Sequence, residues 1–276
     1  MKKVLIAAST AATMFAWSSI AHASDMGFAP SSYDWSGGYV GVNAGVGIDM
    51  SKLNSRFRYT GPDEFADGDD TPDLIHDLSS SEDGSETVFT GGINAGYNWQ
   101  LNHFVVGFEG DFNYLAFNSN TSRNVSDVMD AVFTDPSTKA TDSFHMEGDW
   151  YGTFRGRLGY AANNILLYGT GGLAYGKLNV SQKLDAYNDA EYANWSGSND
   201  GWRLGWTLGA GVEYGIDRWT LGAEYLYVDM GSVDWTSAAD VSTGEDVVND
   251  VWSDVEERGS VDYRFSVVRA TLKYRF

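Results

Sequence analysis

Eight segments of this 276-residue chain are candidates for strands in which apolar and polar side chains alternate with a period of two. Such alternation predicts β-strands with one apolar and one polar face, because successive side chains point to opposite faces of a strand. Seven segments show the pattern clearly, whereas residues 165–180 are so rich in glycine that their faces stay unassigned. The chain is therefore expected to be all-β, with strands that begin near residues 40, 89, 104, 150, 165, 202, 219 and 268.

Two all-β architectures show this alternation, and the content of the two faces distinguishes them. A soluble sandwich buries its apolar face, whereas a membrane barrel turns that face to lipid and its polar face to the lumen. Here the apolar runs are about ten residues long, enough for a tilted strand to cross a bilayer. The opposite faces carry Gly, Asn, Thr and charges, which suit a narrow lumen. We therefore predict an eight-stranded antiparallel up-and-down transmembrane β-barrel with four long outer loops.

Aromatic residues on the apolar faces fall at the ends of the segments, where two membrane interfaces would select them. One predicted belt contains Tyr97, Trp99, Phe104, Tyr160, Tyr214, Trp219, Tyr274 and Phe276. The other contains Phe89, Tyr114, Trp150, Trp202 and Tyr227. The two belts predict the level of the two membrane surfaces.

The lengths of the connections predict the orientation of the barrel. Three connections are only a few residues long, near 101–102, 163–164 and 216–217. The other connections are long, near 50–85, 118–144, 182–199 and 231–260. Short periplasmic turns and long outer loops are typical of bacterial outer-membrane barrels, so both termini are expected on the periplasmic side.

The N-terminus has the features of a cleaved secretory signal peptide. A short basic region and a run of apolar or small residues precede Ala21 and Ala23, which form a small-x-small cleavage site. No later stretch approaches the roughly 20 consecutive apolar residues of a spanning helix. We predict a signal peptide over residues 1–23, a short periplasmic segment over 24–34 and the barrel over 35–276.

Composition argues against several functions. A net charge of -20 is unsuited to nucleic-acid binding, which needs a basic face to meet phosphates. The absence of cysteine excludes disulfides, thiolate zinc sites and cysteine nucleophiles. The histidines are scattered, so no tight metal site, no cofactor and no enzymatic activity are expected. Ser143 and His145 lie together near the predicted outer rim, but such a pair is commonplace, and haem ligation by His76 or His145 is an alternative.

Charged residues on the predicted inner faces would lie inside the barrel, where they need partners or water. Acidic residues of the third strand are expected to face basic residues of the fourth, and the seventh and eighth strands pair in the same way. The six residues concerned are Glu109, Asp111, Arg155, Arg157, Glu224 and Arg269. Further inward charges are Arg203, Glu213, Lys273 and Arg275. Two interpretations stay open: a paired polar plug that fills the lumen, or a gate that opens when one pair breaks.

The predicted first and fourth outer loops are strongly acidic. Their carboxylates predict a solvated, repulsive surface, and the alternative is weak binding of Ca²⁺ or Mg²⁺ or a divalent bridge to lipopolysaccharide phosphates. The stretch Asp67-Gly68-Asp69-Asp70 is similar to part of a calcium-binding loop but lacks its full spacing.

Three stretches resemble a known family. Residues 35–45, WSGGYVGVNAG, are similar to the first strand of small alphaproteobacterial outer-membrane barrel proteins of the porin or opacity-like type. Residues 167–176, LYGTGGLAYG, resemble their central strand, and residues 270–276, ATLKYRF, resemble their terminal strand. The resemblance implies that Tyr274 and the C-terminal Phe276 form the signal that the barrel-assembly machinery reads. The family contains structural proteins, surface antigens, pores and haemin binders, so the resemblance does not select one function.

The function expected from these observations is structural. The chain is expected in the outer membrane of a Gram-negative cell, as a surface antigen that stabilises the envelope and displays acidic loops. Its expected partners are outer-membrane lipids, lipopolysaccharide, the barrel-assembly machinery and periplasmic chaperones. One alternative is a narrow or gated porin for ions and small solutes, and another is a haemin-binding or host-adhesion protein.

Overall fold

The computed structural model describes residues 33–59, 75–78, 87–124, 126, 139–187, 192–239 and 255–276. Its ten strands are β1 (Gly37–Asp49), β2 (Lys52–Tyr59), β3 (Ile75–Leu78), β4 (Thr87–Leu101), β5 (Phe104–Asn124), β6 (Lys139–Ala162), β7 (Ile165–Tyr187), β8 (Tyr192–Ile216), β9 (Trp219–Ala239) and β10 (Val255–Arg275). Among these described residues, none belongs to a helix long and apolar enough to cross a membrane.

Some of the predicted features lie outside the described residues. They are the signal peptide with Ala21 and Ala23, nearly all of the predicted periplasmic segment 24–34, and the most acidic parts of the first and fourth outer connections, residues 60–74 and 240–254. The side chain of His76 lies outside the description as well.

Eight strands close into a ring of antiparallel neighbours in the order β1, β4, β5, β6, β7, β8, β9, β10. The ring closes where β10 pairs with β1, from Tyr39 opposite Arg275 to Asp49 opposite Phe265. The predicted all-β, eight-stranded antiparallel barrel is confirmed. Closure leaves no strand edge in the ring, which is a requirement in lipid because an unpaired backbone group there costs several kcal/mol.

The strands of the ring are strongly staggered. A walk between paired residues around the ring starts at Phe265 in β10 and returns to β10 at Arg275, ten residues further along. For eight strands, a stagger of this size corresponds to a tilt of about 40° and to an interior just wide enough for side chains. Residues that are distant by simple counting along the strands can therefore meet inside the barrel.

The alternation of the sequence sets which side chains face outward. On β1, Val40 and Val42 are exposed, whereas Tyr39 and Asn43 point inward and are buried. The other ring strands follow the same rule, so the outer surface is a band of exposed Val, Leu, Ile, Phe, Tyr and Trp side chains. A folded protein in water would bury such a continuous band, but lipid tails match it.

Three tight turns join the strands at one end of the barrel. Asn102, Asn163 and Asp217 adopt positive φ angles of 58°, 53° and 51° at the first turn position. Two-residue hairpins need this conformation, which Asn and Asp tolerate better than most residues. The short connections therefore lie where the sequence predicts them.

At the opposite end, β5 to β10 continue far into the stretches for which the sequence predicts loops, and we call these outer parts of the strands the extension. The β2–β3 hairpin adds to the outer part of β10, where Val255–Asp262 pair with Lys52–Tyr59. Bulges mark the start of this extension: Asp149 and Trp150 are both exposed on β6, and Gly231 has a φ of 76° on β9. A bulge shifts which residues face inward, so the period-two pattern breaks at these points.

Candidate functional site: the barrel interior

A cluster of eight charged side chains occupies the middle of the lumen, and we call it the ion cluster. It contains four cations and four anions, so its formal charge is balanced. Its members come from five strands and point inward by the alternation of those strands. They are Glu109 and Asp111 on β5, Arg155 and Arg157 on β6, Glu213 on β8, Glu224 on β9, and Arg269 and Lys273 on β10.

Two ion pairs of the cluster join residues that lie directly opposite each other on neighbouring strands. Glu109 and Arg155 are register partners on β5 and β6, and Arg155 Nη2 lies 2.6 Å from Glu109 Oε1. Glu224 and Arg269 are register partners on β9 and β10, with Arg269 Nη2 2.6 Å from Glu224 Oε2. Adjacent antiparallel strands place directly opposite side chains close together, so these two pairs follow from the strand order alone.

Other ion pairs cross the lumen. Arg155 Nη1 lies 2.8 Å from Glu224 Oε1, on a strand three places away around the ring. Arg269 Nη2 lies 2.7 Å from Asp111 Oδ2, again three strands away. Lys273 contacts both Glu109 and, at 2.9 Å, Glu213. Ion pairs in several directions at one level therefore connect opposite walls of the barrel.

Two tyrosines extend the ion cluster. The Tyr39 hydroxyl donates a hydrogen bond to Glu109 Oε2 at 2.8 Å and accepts one from Arg157 Nη1 at 3.0 Å. The Tyr168 hydroxyl donates to Glu224 Oε1 at 3.1 Å, and its ring lies 4.0 Å from the Arg157 guanidinium carbon. Stacking of this kind compensates a buried cation for part of its lost hydration.

All eight charges are withdrawn from water, since their side chains are at most 3% exposed. Burying charges is expensive, and mutual attraction offsets the cost only when geometry and hydrogen bonding are good. The balanced charge and the hydrogen-bonded contacts meet that condition. Removing one member would leave an uncompensated buried charge.

The end of the lumen near the tight turns is closed by the residues just before β1. We call Tyr33 and Trp35 the N-terminal stopper; their side chains are 7% and 1% exposed. The Trp35 backbone N–H donates to Gln100 Oε1 at 2.7 Å, and the Arg275 guanidinium lies 4.7 Å from the centre of the Tyr33 ring. Tyr33 lies over Gly215, where a Cβ would collide with its ring. The Tyr33 ring therefore occupies space that is free only because Gly215 has no side chain.

The outer part of the lumen is largely apolar, although the buried Gln182 Nε2 donates there to the buried Asp142 Oδ1 at 2.8 Å. Fifteen buried side chains form one cluster there, the outer core. It includes Phe144, Trp235 and Tyr263, which lie in stretches where the sequence pattern predicts loops or no strand. The expectation that the inner faces carry only Gly, Asn, Thr and charges is therefore wrong at this end. The bulges explain Phe144 and Trp235, which simple alternation along β6 and β9 would place outside, whereas Tyr263 continues the inward alternation of β10.

The six charges singled out from the sequence, Glu109, Asp111, Arg155, Arg157, Glu224 and Arg269, all belong to the ion cluster. Counted along their own strands, Glu213 on β8 and Lys273 on β10 lie near the strand ends and not at the middle. The stagger of the barrel nevertheless places both side chains in the ion cluster. The charge pattern of the sequence singles out neither Tyr39 nor Tyr168. Tyr39 occupies an inward position of β1, so the alternation could have indicated it, whereas Tyr168 lies in the glycine-rich segment whose faces stay unassigned.

The predicted belts lie on the outer surface. Exposed members of the belts include Trp99, Phe104, Tyr160, Tyr214 and Trp219 near the tight turns, and Phe89, Trp150 and Trp202 at the other end. Tyr227 is half-buried and contacts Trp206. Tyr274 and Phe276 contact each other, and the backbone N–H of Phe276 donates to Gly38 O at 3.1 Å. Their role as an assembly signal stays a prediction.

Ser143 and His145 lie on the outer surface of β6 and have different partners. Ser143 Oγ lies 3.3 Å from Ser122 Oγ, and His145 Nδ1 lies 2.7 Å from Asn120 Oδ1. Within the described part of the chain, no group of three or more His, Cys, Asp or Glu side chains is arranged to hold a metal ion.

An exposed apolar band around a filled, staggered eight-stranded ring defines a transmembrane β-barrel. The chain matches the family described as "Outer membrane protein beta-barrel domain" over residues 7–276 and belongs to that family. It is 36% identical over 287 residues to the 31 kDa outer-membrane immunogenic protein of Brucella melitensis, with 100% of both chains covered. This is an outer-membrane β-barrel protein.

Two further similarities are more limited. The chain is 34% identical over 148 residues to a 22 kDa outer membrane protein of Rhizobium leguminosarum, which covers 53% of this chain and 55% of that one. Neisserial surface protein A aligns with a TM-score of 0.33 at 14% identity, over 87% of this chain and 98% of that one. A TM-score this low supports no argument about function.

Proposed function

We propose that the protein is a structural outer-membrane barrel that stabilises the envelope and presents its outer strands and loops at the cell surface. The observation that carries the proposal is the filled lumen. The N-terminal stopper, the ion cluster and the outer core occupy the interior in succession. A channel needs a continuous aqueous path, and eight strands leave room only for side chains.

The surface-display part of the proposal is supported by the relatives and by the outer extension. The Brucella relatives are named as immunogenic outer-membrane proteins, and an antigen has to be accessible at the surface. In this chain the strands extend beyond the outer belt, and their outward side chains there are polar. We therefore propose that the extension is the part of the molecule that contacts the surroundings of the cell.

Single-channel conductance in a planar bilayer tests the closed lumen. The refolded protein without residues 1–23 is measured beside Arg155→Ala and Arg269→Ala. Arg264→Ala is the matched control, since Arg264 lies on β10 near Arg269 but pairs at the surface with Asp229 at 3.1 Å. We expect no regular conductance steps in any of the four proteins, because two other layers still close the lumen. Steps in the wild type would establish a pore, and steps confined to the Arg155 or Arg269 variant would establish a gate.

Deletion of the gene tests the envelope role. Cells without the protein are expected to become more sensitive to detergent and to chelators of divalent cations, and expression of the Arg264→Ala variant is expected to restore resistance. Unchanged sensitivity of the deletion strain would contradict the structural role. It would not bear on surface display, which is the other part of the proposal.

A further inference from the structure

Two rows of polar side chains cross the outer surface of the extension over β5, β6, β7 and β8. Strand register defines the first row, which contains Asn120, His145, Ser181 and Ser198. The second row contains Ser122, Ser143, Lys183 and Ser196. All eight side chains line one groove of about 440 Å³. We call these eight residues the hydroxyl rows.

The chemistry of the hydroxyl rows matches a saccharide. Five of the eight residues are serines, and each hydroxyl can donate one hydrogen bond and accept others, as sugar hydroxyls also do. The amide of Asn120 and the imidazole of His145 add further donors and acceptors. None of the eight side chains is a large hydrophobe, and Phe144, which also lines the groove, has its side chain buried in the outer core.

The charges around the hydroxyl rows favour an uncharged sugar over a phosphate. The ammonium of Lys183 lies 3.0 Å from Asp185 Oδ1, and His145 Nε2 lies 3.9 Å from Glu147 Oε2. Each of the two basic side chains therefore has a carboxylate beside it. A phosphate in the groove would approach both carboxylates, whereas a neutral sugar would gain acceptors from them.

The height of the rows indicates where the sugar comes from. Trp150 on β6 and Trp202 on β8 are exposed and lie at the outer belt. Ser143 and His145 follow Trp150 outward by five to seven residues along β6, a distance of roughly 10–20 Å for a tilted strand. The headgroup layer is only about 5–8 Å thick. The rows therefore lie just beyond the headgroups, where the outer leaflet of an outer membrane carries the sugars of lipopolysaccharide.

We propose that the hydroxyl rows bind the neutral sugars of the lipopolysaccharide core oligosaccharide. The contact would fix the barrel laterally in the outer leaflet as well as vertically in the lipid. It deepens the proposed envelope role, and it rests on that proposal for the assignment of the extension to the outside of the cell.

The main test compares two vesicle preparations. One contains lipopolysaccharide with a complete core, and the other contains a deep-rough form that keeps lipid A and its phosphates but lacks the core sugars. We expect the wild type to melt about 2–4 °C higher with the complete core, since a ligand that binds only the folded state stabilises it. Equal melting temperatures in the two preparations would overturn the proposal and assign any stabilisation to lipid A.

Substitutions locate the contact. The combined variant Ser143→Val, Ser181→Val and Ser198→Val removes three hydroxyls and keeps side chains that suit a strand. It is expected to lose the temperature increment. Thr236→Val is the matched control, since Thr236 is an exposed hydroxyl residue on β9, and it is expected to keep the increment. A triple variant that keeps the increment would overturn the assignment to the hydroxyl rows.

A second measurement needs only the wild type. Core oligosaccharide freed of lipid A is titrated while the histidine ring signals are followed by NMR. The signal of His145 is expected to shift, and that of His103, at a tight turn on the opposite end of the barrel, is expected to stay in place. An unmoved His145 signal would overturn the proposal. The deletion phenotype is independent of both measurements, so an unaffected envelope with an intact sugar response would reject only the structural role.

Discussion

The ion cluster and the outer core fill two levels of one barrel with opposite chemistry. At the level of the lipid band, eight charges meet through directed bonds in which each guanidinium has specific partners. Above the ion cluster, apolar side chains fill the interior without directed bonds, from Leu226 near the outer belt to Trp235 beyond it. Apolar filling tolerates changes of similar volume, whereas a balanced ionic layer depends on every member. The two levels should therefore respond differently to substitution.

The largest effect is expected at Arg155, whose guanidinium contacts Glu109, Asp111 and Glu224. Arg155→Ala leaves these carboxylates without a shared cation in a buried site. We expect a loss of about 3–5 kcal/mol in the free energy of unfolding. Urea unfolding of the refolded protein, followed by tryptophan fluorescence, measures it. A loss below about 1 kcal/mol would mean that water enters the cluster and replaces the guanidinium.

A truncation in the outer core should cost nearly as much for a different reason. Leu226→Ala removes a fully buried side chain and leaves a cavity, at an expected cost of about 2–5 kcal/mol. The two levels should differ when methionine replaces alanine at the same position. Leu226→Met should recover most of the stability that Leu226→Ala loses, whereas Arg155→Met should not recover the stability that Arg155→Ala loses. Equal recovery by both methionine variants would contradict the distinction between the two levels.

The coupling between neighbours should be smaller but specific to the ionic level. In a double-mutant cycle, Glu224→Ala and Arg269→Ala together should cost less than the sum of the single changes, by about 1–3 kcal/mol. Leu226→Ala combined with Val267→Ala serves as the comparison, since these two residues of the outer core are directly opposite each other on β9 and β10. A coupling energy at Glu224 and Arg269 no larger than that at the apolar pair would remove the case for a cooperative ion cluster.

The smallest effect is expected at the bulge that precedes the outer part of β9. Gly231 has a φ of 76°, and a Cβ there would meet no atom within 4 Å. Gly231→Ala therefore tests the backbone alone, with an expected loss of about 1 kcal/mol. Gly110→Ala, where φ is ordinary and the nearest atom is 3.8 Å away, is the control. A Gly231 variant as stable as that control would show that the bulge can relax without cost.

The fold and part of the interior follow from the sequence. Alternation gives the strands, and the up-and-down order makes β5 a neighbour of β6, so the contact of Glu109 with Arg155 is predictable. The contact of Lys273 with Glu213 is not, because it depends on a stagger of ten residues that no local pattern records. The sequence does not predict Phe144 and Trp235 inside the barrel either. The bulges on β6 and β9 change which residues face inward between the membrane segments and the extension.

The seam between β1 and β10 has a consequence for how the chain reaches this structure. Residues paired across the seam, such as Val42 with Leu272, are more than 200 positions apart in the chain. Contacts of such high order are slow to form, because the loop entropy is lost before the pairing compensates it. Until the seam forms, two strand edges are open and templated pairing with another chain competes with closure. Closure of the seam is therefore exposed to competing pairing, and we expect a chain of this topology to gain from an assembly partner that holds β1 and β10 together.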